Sequence, residues 1–158
     1  MFRGMNLRQI ILDCICIALC FLTIAVTVIL YPRLPERIAQ NFNAAGEVTR
    51  YGSKSVLFVL LGVMVLMTGT FSALLRIPAL YRHINVPWTV LWGREGLVVS
   101  ATKDFLCVTN LCCTLGNVYL LSACLRGKLV QWLLWLPYAA VAAALVWYLV
   151  KLRKICKS

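Results

Sequence analysis

Eight cysteines, one histidine and five acidic residues are the side chains of this 158-residue sequence that could ligate a metal, attack a carbonyl or move a proton. Their spacing supports none of these. Cys14 and Cys16 are two apart and do not share a helix face. Cys112 and Cys113 are adjacent and form no CxxC pair. His83 has no evident partner, and no Ser–His pair or carboxylate cluster accompanies it. The expectation is therefore a chain without a catalytic site, a cofactor or a metal. The cysteines read as small, weakly polar packing residues. Cys156, beside lysines, is the one acylation candidate.

The elements that must position these side chains follow from composition. The chain is 62% hydrophobic and 13% charged, with a mean hydropathy of +0.87. Soluble domains average about 45–50% apolar and about 25% charged residues, so a soluble enzyme, a disordered chain and a solenoid are excluded. Blocks of about 20 apolar residues match the ~30 Å hydrocarbon layer. Helical spans are expected at about 9–31, 55–75, 105–125 and 129–150. The first run is too long for a cleaved signal h-region and no small-x-small site follows it. The predicted class is an all-α integral membrane protein, one membrane domain over 1–158. A structured extracytoplasmic loop, 32–54, joins the first two helices, and the 76–104 loop is cytoplasmic.

The net charge of +11 reads as membrane orientation, not nucleic-acid binding, because the basic residues flank the apolar blocks. With the N-terminus inside, ten of the 16 Lys and Arg residues fall on the cytoplasmic side and six outside, which favours both termini inside. No cysteine lies in the expected outer segments, 32–54 and 126–128, so no disulfide framework is expected.

Ionisable residues within a span are functional candidates by default. The first span holds Asp13 about one turn from its start, within reach of water or a basic residue. Asn117 is the most polar deep side chain of the third span and is expected to bond across helices. Gly69/Ala73 and Ala140/Ala144 are small-xxx-small steps that permit close helix contact.

The most patterned stretch is the 32–54 loop. Pro32 and Pro35 end the first helix. Leu34, Ile38 and Phe42 recur at four-residue spacing, an apolar stripe suited to the membrane surface or to the helix ends. Asn43-Ala-Ala-Gly46 reads as a turn in which Gly46 takes positive φ. Gly52-Ser53-Lys54 leads into the second helix, with Ser53 able to cap it.

Leu34-Pro-Glu-Arg-Ile38, Phe42-Asn-Ala-Ala-Gly46 and Tyr51-Gly-Ser-Lys54 together resemble the bacterial membrane family called domain of unknown function 1648. That domain also forms the N-terminal part of proteins similar to the immunity protein of the sporulation-delaying-protein toxin system. Asn41, Thr49 and Ala39 stand where the family has His, often Asp, and a second Pro. The two side chains that could hold a metal or a proton in that loop are thus absent. The retained positions, Leu34, Pro35, Ile38, Phe42, Asn43, Gly46, Gly52, Ser53 and Lys54, shape and dock a loop. Asn85-Val-Pro-Trp88 is a looser echo of the family.

Between Trp88 and Ala101 the pattern around Gly93-Arg-Glu-Gly96 suggests a hairpin, whereas the resemblance implies a helix running into the third span, the reading preferred. The resemblance implies a location in the bacterial cytoplasmic membrane. It also implies a non-enzymatic role, immunity or sensing, by binding another membrane protein or a peptide toxin through the 32–54 loop. The lipid bilayer is the other expected partner, nucleic acid is not one, and the oligomeric state is left open. The alternative is a small transporter or channel subunit working as an oligomer, for which Asp13, Thr68, Thr70 and Asn117 are the available polar path.

Overall fold

The computed structural model describes residues 4–77 and 93–157. The chain forms α1 (Leu7–Leu30), a single 3-10 turn (Tyr31–Arg33), β1 (Arg37–Phe42), β2 (Val48–Ser53), α2 (Val56–Arg76), α3 (Glu95–Arg126) and α4 (Gln131–Lys157). All four α-helices are long and apolar enough to cross a membrane. They run alternately up and down. Helices α1, α2 and α3 pack on one another, and α4 packs on α3. Gly4, the start of α3 and the end of α4 lie at one end of the bundle, and the β1–β2 hairpin covers the other.

The helix positions agree with the hydropathy blocks, but two helices are longer. α3 begins at Glu95 because its first turns bury Val98 and Ala101 against Leu152, Tyr148 and Ile155 of α4. The same contact carries α4 beyond the apolar block to Lys157. Of the hairpin or helix weighed for 86–104, residues from Glu95 onward are helical and follow a turn at Gly93 (φ +86°). Trp88 to Trp92, His83, the Asn85–Trp88 echo and most of the 76–104 loop lie outside the described residues.

The all-α expectation is corrected by the antiparallel β1–β2 pair. Four-residue spacing of Leu34, Ile38 and Phe42 suits a helix, yet the segment is extended. Asn43 and Gly46 fold it back on itself, and β2 carries Val48, Thr49 and Tyr51, residue types that favour strands. The register slips at Gln40 on β1 and at Thr49 on β2. Such bulges twist a hairpin and re-aim its side chains. Ile38 and Ala39 are consequently both buried, and Phe42 still points inward.

The main core joins the hairpin to three helices. Ile38 packs with Cys20 of α1, Leu57, Leu61 and Met64 of α2, and Leu121 and Cys124 of α3, with Leu34, Tyr31 and Phe42 at its edge. Docking each large apolar side chain contributes about 1.5–3 kcal/mol relative to exposure. Much of the remaining helix surface is apolar and exposed, including Phe21, Val59, Leu66, Trp132, Trp135 and Val146. The Ala140–Ala144 step lies on the α4 stripe facing α3, where Gly116 lies against Pro137. Gly69, by contrast, faces open space.

Candidate functional site

The hairpin end is built from the bottom of its turn. The Asn43 side-chain oxygen accepts the amides of Ala45 and Glu47, both at 2.9 Å, and its Nδ2 donates to Glu47 Oε2 at 3.0 Å. Gly46 closes the turn at φ +81°, as its position in the sequence predicts. The turn is latched to the α3–α4 linker: the Leu129 amide donates to the Gly46 carbonyl at 3.1 Å, and Gln131 Nε2 donates to the Asn43 carbonyl at 3.1 Å. A Cβ on Gly46 would fall on the Leu129 carbonyl, and one on Gly52 would fall on the Gln40 side chain.

The other retained positions fix the hairpin's base. Leu34 and Phe42 flank the core while Pro35 is exposed in the approach to β1. Lys54 Nζ pairs with Glu36 Oε1 at 3.0 Å and lies over the Tyr31 ring at 4.9 Å. The N-cap of α2 is Ser55, not Ser53; Ser53 Oγ instead accepts the Ser55 amide at 3.2 Å. All nine retained positions thus fall in one docked hairpin and its base. Its outer strand β2 exposes Thr49, Arg50 and Tyr51, and Arg33, Arg37, Arg126 and Lys128 are exposed around it.

A second polar constellation lies inside the bundle, toward the end opposite the hairpin. Asp13 is fully buried. Ser72 Oγ of α2 donates to its Oδ1, and Arg76 Nη2, from the last residue of α2, ion-pairs with its Oδ2, both at 2.5 Å. Arg76 Nη1 also donates to the Ser72 carbonyl at 2.7 Å. Asp13 therefore reaches a basic residue, as expected, but from a buried position. One turn farther from the hairpin, Gln9 Nε2 donates to Asp104 Oδ1 at 2.7 Å, and Lys151 Nζ pairs with Asp104 Oδ2 at 3.0 Å. Lys103 Nζ donates to the Gly4 carbonyl at 2.8 Å. One turn deeper than Asp13, the hydroxyls of Thr68 and Thr114 meet at 3.3 Å. Asn110, buried on α3 one turn from Thr114, has neither side-chain atom in a hydrogen bond.

Sequence reasoning missed most of this column, although a signal was present. Gln9, Asp13, Cys16 and Cys20 recur on α1 at spacings of three and four, as do Lys103, Cys107, Asn110 and Thr114 on α3, and Thr68, Ser72 and Arg76 on α2. Each series marks one helix face, and these faces meet. Asn117 bonds across helices as expected, donating to Met67 Sδ of α2 at 3.9 Å, and it also donates to the Cys113 carbonyl of its own helix at 2.9 Å. Thr70 bonds its own helix, to the Leu66 carbonyl.

All eight cysteines are free thiols. Cys14 is exposed while Cys16 is fully buried, consistent with opposite faces. Cys156 is also buried, so the acylation candidate is packed away from the surface. Among the described residues no three His, Cys, Asp or Glu side chains converge as a metal site.

Residues 18–65 match the family model of a domain of unknown function, DUF1648. The matched stretch covers the latter part of α1, the whole hairpin and the first part of α2. The polar column, with Asp13, Thr68, Ser72, Arg76, Asn110 and Thr114, lies outside it. No curated protein and no solved structure matches the chain.

Proposed function

We propose that the chain is a non-enzymatic, multi-pass protein of the bacterial cytoplasmic membrane. Its hairpin faces outward and binds another membrane protein or a peptide, in an immunity or sensing role. The carrying observation is the hairpin itself. Its inner face is buried on three helices and its tip is latched to the α3–α4 linker, which leaves β2 held as a fixed, exposed edge with Arg50 and Tyr51. A preorganised surface binds with less ordering cost than a mobile loop, and an open strand edge offers backbone groups to a partner.

A photocrosslinking residue tests this reading. Placed at Tyr51 in cells, it should give a discrete adduct that is lost when Gly46→Val undocks the hairpin. The same residue at Trp135, on the α4 surface, is the control. Adducts of equal intensity from both positions, or from neither, would reject recognition through the hairpin.

The polar column favours the second reading, a small transporter or channel subunit. An ion pair buried among apolar helices is costly and marks solute or proton paths in membrane proteins. Solute or proton flux into vesicles containing the purified chain, abolished by Asp13→Asn, would support it over the binding role.

A further inference from the structure

Among the described residues, one buried polar side chain, Asn110 of α3, has no hydrogen-bond partner. Asn110 is 1% exposed, and neither its amide nitrogen nor its oxygen meets a donor or acceptor. Buried amides in folded proteins are almost always satisfied, by protein or by ordered water.

Its surroundings follow from helix geometry. Cys107 and Thr114 bracket Asn110 at three and four residues, so the three side chains share a face of α3. At one side Cys107 Sγ contacts the Gln9 carbonyl of α1 at 3.7 Å. At the other, Thr114 meets Thr68 of α2. Ser72 lies one turn along α2 from Thr68 and holds Asp13. Because α2 and α3 are antiparallel, Asn110, one turn from Thr114, is level with Ser72 and its bond to Asp13.

We infer that Asn110 anchors a buried hydration site beside the Asp13–Ser72–Arg76 cluster. The chemistry of the amide selects the ligand. Its nitrogen only donates and its oxygen only accepts, so one species must do both, as water does. A cation would satisfy the oxygen alone, and the Asp13 carboxylate is already balanced by Arg76. This inference is independent of the hairpin reading.

Radiolytic hydroxyl labelling of the purified full chain, read by mass spectrometry, tests it, because ordered water is the radical source inside a protein. Cys124, 4% exposed and in the apolar cluster, is the dry reference. Cys16 and Cys107 should label several-fold faster than Cys124. Asn110→Leu should bring them down to the Cys124 rate, and Asn110→Ser, which keeps room and polarity, should not. Equal rates for the three cysteines in the parent would overturn the site, and so would unchanged labelling in Asn110→Leu. Should Asn110→Leu fail to fold, the parent and Asn110→Ser rates still decide. Replacing sodium by potassium or choline should leave the melting temperature unchanged. A cation-specific rise that disappears in Asn110→Ser would reject water in favour of a bound cation.

Discussion

The Gly46 carbonyl accepts the Leu129 amide at 3.1 Å, joining a hairpin tip to a linker more than eighty residues away in the chain. This backbone contact leaves no room for a side chain at position 46. It turns a polar connection between two helices into a cap on the bundle. The glycine is required twice, by its φ of +81° and by the approach of Leu129.

Gly46→Val should therefore lose more than the roughly 1–2 kcal/mol that a left-handed L-residue costs. Gly127→Ala is the comparison, because Gly127 also has positive φ but open space around it. Protease nicking between Arg33 and Lys54 should accelerate strongly in Gly46→Val and hardly in Gly127→Ala. Equal nicking in both would mean that backbone strain alone matters and that the latch contributes nothing.

Docking of the hairpin should rank by burial. Ile38→Ala, at 4% exposure, should cost about 2–5 kcal/mol. Phe42→Ala, at the edge of the core, should cost less, and Asn41→Ala, exposed, should be within about 0.5 kcal/mol of the parent. The same nicking assay gives the order. A variant at Asn41 that is nicked faster than Phe42→Ala would assign position 41 a role that its exposure does not explain.

Asp13 and Arg76 should behave as a coupled pair. Arg76→Met leaves a carboxylate buried without its cation, a loss of about 3–5 kcal/mol. Asp13→Leu combined with Arg76→Met removes both charges and should recover most of it. Thermal or denaturant unfolding of the two single variants and the double variant gives the coupling energy. Strict additivity would show that the pair is not a unit.

Topology can be read by impermeant maleimide labelling of intact cells carrying single cysteines in a cysteine-free chain. Ala44→Cys, at the exposed hairpin turn, should label from outside and Ser158→Cys should not. The reverse pattern would invert the orientation given by the basic residues. The cysteine-free background should itself fold, since all eight thiols are free. Alanine suits Cys16 and Cys107, which are buried, better than serine does.

What the amino-acid sequence determined by itself is what local chemistry dictates. Four apolar blocks must satisfy their backbone internally, so their helices and approximate bounds were legible. The Asn43–Gly46 turn was legible because few residues accept positive φ. The spacing of Leu34, Ile38 and Phe42 announced burial but not its geometry. A period of four fits one helix face, and the bulges at Gln40 and Thr49 that fit it to a hairpin arise from pairing with β2. The early start of α3 depended on Leu152, some fifty residues away. The polar column was decided by tertiary structure above all. Asp13 stands out within its span, but Gln9, Ser72, Arg76, Asp104 and Asn110 are each ordinary on their own helices. Only the packing of α1, α2 and α3 sets which of them meet, because contact energies between distant residues depend on helix rotation and direction, which no single segment encodes.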